Sequence, residues 1–150
     1  MPTLVAPRPE PAAWALVWSA VPAATPVYQP SWLPARFKGA AVYVDLGHDQ
    51  GRQRPAYQVS YRTKDREMIA FLLGPGVGAM GNATPPATRE PIPVHGAEGQ
   101  LFTSAGSPRV WATWQERGQT YSVRAFGERT TRDELLQIIE GLAPVATPGP

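Results

Sequence analysis

The chain has 150 residues, 43% of them apolar and 17% charged, with a net charge of +2. That is enough for one domain with a real core and too little for two, and two surplus charges do not make an electrostatic field for nucleic acid. Cysteine is absent, which excludes disulfide scaffolds, zinc ribbons and thiol catalysis and leaves the redox compartment open.

Proline is over-represented, with 18 in the chain and a dense group before residue 35. Each proline fixes φ and removes a backbone donor, so residues 1–11 and the tail 144–150 read as extended linker. Residues 12–24 (AAWALVWSAVPAA) are the one long apolar run. At that length they cannot span a bilayer, which needs about 20 residues. Val21, Pro22 and Ala23 loosely match a signal-cleavage site, but Glu10 and four prolines precede the run where a basic leader belongs. A strand or short helix laid on the core is the better reading. The chain thus divides into a proline-rich leader with a short apolar segment (1–25), one domain (26–143) and a disordered tail (144–150).

Within the domain, residues 41–46 and 57–63 alternate with period two, placing Val42, Val44 and Leu46, then Tyr57, Val59 and Tyr61, on single faces. Residues 67–73 (EMIAFLL) are apolar on both sides, as in an interior strand, and the polar turn Thr63–Arg66 joins them to the previous run as a hairpin. A short strand at 100–103 follows. Residues 110–116 and 119–126 then form a second hairpin about Arg117 and Gly118. Thr131 and Glu134 fit a capping box ahead of Leu135, Ile138, Ile139 and Leu142, the buried stripe of an amphipathic helix stopped by Pro144. These elements predict an α+β domain: a single curved antiparallel sheet of five to six strands with the C-terminal helix packed on one face.

Chemistry-bearing motifs fail on context. Gly76, Gly78 and Gly81 match G-x-G-x-x-G, but Pro85 and Pro86 stand where the fingerprint needs a helix. Asp45, His48 and Asp49 lack the order of a calcium loop and the ligand number of a zinc site. No nucleophile elbow, metalloprotease helix or phosphate-loop lysine is present, and His95 has no serine–aspartate pair assignable to it. The chain therefore predicts no catalytic residue, no metal ligand and no cofactor. The basic residues do not interleave with aromatics, which argues against nucleic acid. The candidate binding residues are Trp111, Trp114, Tyr57, Tyr61 and Tyr121, aromatics on alternating strand faces. Trp111 and Trp114 have opposite parity, so one faces away from the helix and makes the second face of the sheet partly apolar.

Several segments together resemble a known family. They are Pro26 to Pro34 (PVYQPSWLP), Tyr57 to Tyr61 (YQVSY), Val94 to Gly99 (VHGAEG), Trp114 to Val123 (WQERGQTYSV) and Thr131 to Leu142 (TRDELLQIIEGL). This pattern resembles a bacterial extracytoplasmic domain of unknown function found at the C-terminal end of anti-sigma-factor-like membrane proteins and lipoproteins. It covers about residues 26–143. Gly141 stands where that family usually has serine, and no transmembrane helix, lipobox or zinc-binding anti-sigma segment accompanies the domain here.

The resemblance implies a non-catalytic extracytoplasmic sensor or binding domain, periplasmic, cell-surface or secreted. It would present its sheet to a protein partner or small apolar ligand, with membrane association through a segment outside this sequence. A second reading is a carrier of an apolar molecule or lipid in a cavity between sheet and helix. A third is a hydrolase or nucleotide enzyme built on the loop 74–81.

Overall fold

The computed structural model describes residues 11–19, 21, 25–46, 57–73, 87–105 and 109–145. The loops holding His48, Asp49, Arg52 and Arg54, the glycine motif of 76–81 and the tail beyond Val145 lie outside the described residues. In chain order the elements are helix α1 (Pro11–Ser19), strand β1 (Tyr28–Pro30), a 3-10 turn (Ala35–Phe37), β2 (Ala41–Leu46), β3 (Tyr57–Arg62) and β4 (Met68–Leu73). They continue with β5 (Ala87–Val94), β6 (Ala97–Ser104), β7 (Val110–Glu116), β8 (Gln119–Phe126), helix α2 (Arg132–Glu140) and β9 (Leu142–Pro144).

Seven strands form one open sheet in the order β2-β3-β4-β8-β7-β6-β5, every neighbour antiparallel. Two meanders, β2-β3-β4 and β5-β6-β7-β8, are joined where β4 pairs with β8. The sheet does not close into a barrel. A second, two-stranded sheet pairs β1 with β9, and the Val145 amide extends it by donating to the Val27 carbonyl at 2.7 Å.

The α+β antiparallel architecture is as expected; the strand count of five to six is corrected upward. The added strand of the main sheet is β5 (ATREPIPV), whose Pro91 and Pro93 read as loop. They are tolerated because β5 is an edge, where a proline nitrogen can face away from its neighbour. Strand β6 also begins earlier than expected, at Ala97. It does so because His95 and Gly96 take positive φ (49° and 80°) and close a two-residue hairpin. Arg117 and Gly118 (53° and 78°) do the same between β7 and β8. The run 12–24 contributes α1 and no strand; Pro11 at its first position loses no helix hydrogen bond.

Register separates two faces. Tyr57, Val59 and Tyr61 of β3 oppose Leu73, Phe71 and Ile69 of β4, which oppose Tyr121, Val123 and Ala125 of β8, then Trp114, Ala112 and Val110 of β7. This face joins Leu135, Ile138 and Ile139 of α2, Val17 of α1, and Leu33 and Phe37 in one buried core. Gly99 of β6 lies opposite Trp114, and a Cβ there would stand 2.9 Å from the Thr113 carbonyl and 3.1 Å from the Trp114 Cβ. Glycine at that site is a packing requirement.

Helix α2 starts as its cap predicts, with Thr131 Oγ1 accepting from the Glu134 amide at 3.2 Å. The return half of the box is replaced. The Glu134 carboxylate grips Arg36 from the 3-10 turn through two bonds of 2.9 and 2.6 Å, because a bidentate charge-assisted pair outweighs one backbone amide. Arg36 Nε also reaches both oxygens of Glu67 at 3.0 Å, and Nη2, one of the two nitrogens on Glu134, donates as well to Thr130 Oγ1 at 3.1 Å. One guanidinium thus ties the 3-10 turn, the start of β4 and the head of α2 together.

Candidate functional site

The five aromatic candidates do not form one site. Tyr57, Tyr61, Trp114 and Tyr121 lie on the helix-covered face and are buried in the core; only Trp111 lies on the other face, stacked on Phe102 with ring centroids 5.1 Å apart. Trp114 stacks on Tyr121 at 5.5 Å, and Tyr61 meets Phe71 edge-on at 5.8 Å.

Around Trp114 and Tyr121 the structure adds groups that sequence reasoning did not assemble. Tyr28 of β1 packs against His95 (4.7 Å) and Tyr121 (5.4 Å) and donates its hydroxyl to Glu116. His95 Nδ1 lies 3.3 Å from the same carboxylate, and the Tyr121 hydroxyl donates to the Pro26 carbonyl. This cluster seals the end of the sheet where the two-residue hairpins turn and where the small sheet docks. The space it encloses, lined by Tyr28, Tyr57, Trp114, Tyr121 and Leu142, is only about 10 Å³. That is at the limit for one water. The helix side is filled with side chains here.

Burial sets the chemistry of these phenols. It raises Tyr28, Tyr57 and Tyr121 well above the ordinary value of 10.0, with the Glu116 charge and hydrogen bond adding to the effect at Tyr28. The folded state therefore holds its phenolic protons after the unfolded chain has lost them. This contribution to stability is complete below pH 10 and declines as pH rises above it. Urea titrations at alkaline pH are expected to show stability falling above about pH 10, by up to about 1.4 kcal/mol per pH unit for the deeply buried Tyr57. A flat profile to pH 12 would refute the assignment.

The second face of the main sheet carries no helix among the described residues. Its central row runs Tyr43 (β2), Ser60 (β3), Ala70 (β4), Arg124 (β8), Trp111 (β7), Phe102 (β6) and Arg89 (β5). The apolar surplus inferred from the parity of Trp111 and Trp114 is present: Leu72, Ala70 and Trp111 are all buried there. Arg124 stands among them with its Nε buried and unpaired, and burial lowers its pKa.

Beside this row, at the end of the sheet away from the tyrosine cluster, a cavity of about 640 Å³ opens. Met68, Phe126, Ala41 and Tyr43 give it apolar walls; Arg62, Lys64 and Arg66 line it with positive charge. It is an open groove whose volume falls within the range of small-molecule sites. Arg62 lies over the Tyr43 ring at 4.5 Å. Among the described residues Glu67 is the one carboxylate of the lining, and it is only 5% exposed and held by Arg36. None of these lining residues was a candidate from sequence. Arg62, Lys64 and Arg66 alternate with Asp65 and Glu67 along the chain, which reads as a solvated face. Only the fold shows that Arg36 and Arg129 remove the two acids from the balance.

No family model matches the chain, and neither a curated protein nor a solved structure matches it. Among the described residues no three metal-ligating side chains converge, and no helix is long and apolar enough to cross a membrane.

Proposed function

We propose that the chain is a non-catalytic extracytoplasmic binding domain of a bacterial envelope-associated protein, and that it receives a small ligand on the helix-free face of its sheet. The observation that carries this is the contrast between the two faces. Among the described residues, the tyrosine cluster on the helix side encloses only about 10 Å³, whereas the opposite face offers an open groove of about 640 Å³ with apolar walls and a polar rim. The extracytoplasmic placement rests on the sequence resemblance alone.

The test is a thermal-shift screen of small amphiphiles followed by methyl NMR on Met68. A ligand at a hundred times its dissociation constant is expected to add about 2.7 kcal/mol of stability and to move the Met68 methyl signal. Ligands that stabilise the protein while leaving Met68 unmoved would refute the site, and turnover of any of them would refute the non-catalytic role.

A further inference from the structure

We infer that the cavity between Met68, Phe126 and the Thr63–Glu67 turn selects an acidic amphiphile, a single apolar chain ending in a carboxylate or a phosphate monoester; this rests on the reading of the helix-free face as the ligand surface.

The charge balance of the lining is the first support. Arg62, Lys64 and Arg66 face the cavity, and among the described residues no carboxylate lies within ion-pair distance of them, whereas Arg36, Arg129 and Arg132 all have acidic partners. The nearby acids are taken: Glu67 by Arg36 at 3.0 Å and Asp65 by Arg129 at 3.5 Å. Arg124, two residues before Phe126 on the same face, adds a half-buried cation whose Nε is unpaired and which has no ion pair among the described residues. Positive charge therefore accumulates beside an apolar floor, and an anionic headgroup with an apolar tail satisfies both.

The backbone gives the second support. The turn is closed by the Arg66 amide donating to the Thr63 carbonyl at 3.2 Å and the Thr63 amide to the Glu67 carbonyl at 2.9 Å, with Arg66 at φ 66°. Glycine is the favoured residue in that left-handed position of a hairpin. The chain holds an arginine there at some cost in strain, and its side chain lines the cavity. The same left-handed conformation closes the hairpins at His95 and Arg117, and here it aims an arginine at the cavity.

The experiment titrates the whole chain with octanoate, octanol and octylammonium by calorimetry and by the Met68 methyl signal. Octanoate is expected to bind and move Met68. Octanol and octylammonium are expected to bind at least about tenfold more weakly, and octanoate affinity to fall with added salt. Arg66→Gly is expected to unfold at the same or a higher temperature and to bind octanoate about threefold more weakly. Because that variant relieves strain, its loss of binding cannot be ascribed to unfolding. Equal binding of octanol or octylammonium at Met68 overturns the acidic selectivity and leaves the ligand surface standing. Absence of any Met68 response overturns both. Sedimentation with phosphatidylglycerol vesicles without binding of monomeric octanoate overturns the inference in favour of a membrane surface.

Discussion

Replacing Arg36 by alanine is expected to lower the unfolding free energy by about 3 kcal/mol, because truncating the centre of a part-buried ionic network leaves the buried Glu67 with only the more distant Arg129, at 3.9 Å. Glu67 is 5% exposed and loses both bonds from Arg36 Nε, Glu134 loses its bidentate partner, and Thr130 Oγ1 loses a donor at a site only 1% exposed. Three elements distant in sequence come loose at once. Urea denaturation at neutral pH measures the loss. The double variant Arg36→Ala/Glu67→Gln is expected to recover part of it by removing the stranded charge. A loss below about 1 kcal/mol, the range of solvated surface pairs, would show that the network does not hold the fold.

Trp114→Ala is expected to cost about 3–5 kcal/mol, the range for removing a buried aromatic ring. Trp114 is 3% exposed, stacks on Tyr121, meets His95 edge-on at 6.3 Å and lies over Gly99, so truncation empties the centre of the cluster that seals one end of the sheet. Its indole Nε1 is buried without a partner. Trp114→Phe is therefore expected to keep most of the stability, since it retains aromatic packing and removes an orphan donor. Thermal denaturation of the two variants measures the difference. Equal losses in both would mean that the indole nitrogen has a structural role.

Gly141 lies against Ser31 at the end of α2. A serine Cβ there would come 2.9 Å from Ser31 Oγ, whose hydroxyl donates to the Gly141 carbonyl. A serine at 141 would therefore turn the exposed Ser31 hydroxyl away from this carbonyl.

Local signals carried much of the fold. Period-two alternation located β2, β3, β7 and β8, and the Thr131 cap with the stripe Leu135, Ile138 and Ile139 located α2. What escaped depended on tertiary context. Strand β5 is hidden because Pro91 and Pro93 deny a strand in isolation and permit one only at an edge. Strands β1 and β9 have three residues each, too few to alternate, and exist because Tyr28 faces Pro144 across the length of the domain. The aromatic candidates were legible as aromatic strands and not as sites, since parity distinguishes faces but not which face is covered. The cavity was illegible for a different reason. Its cations stand beside acids in sequence, and only the positions of Arg36 and Arg129 show that those acids are engaged elsewhere.

Pro91 and Pro93 also determine how copies of this chain can meet. Main-chain amides of alternate residues point outward from β5, and at these two positions the ring has replaced the hydrogen. From residue 90 to 94 a foreign segment would find carbonyls but nothing to donate to its own. Edge-to-edge pairing of a second strand is therefore disfavoured along residues 90–94 of this border.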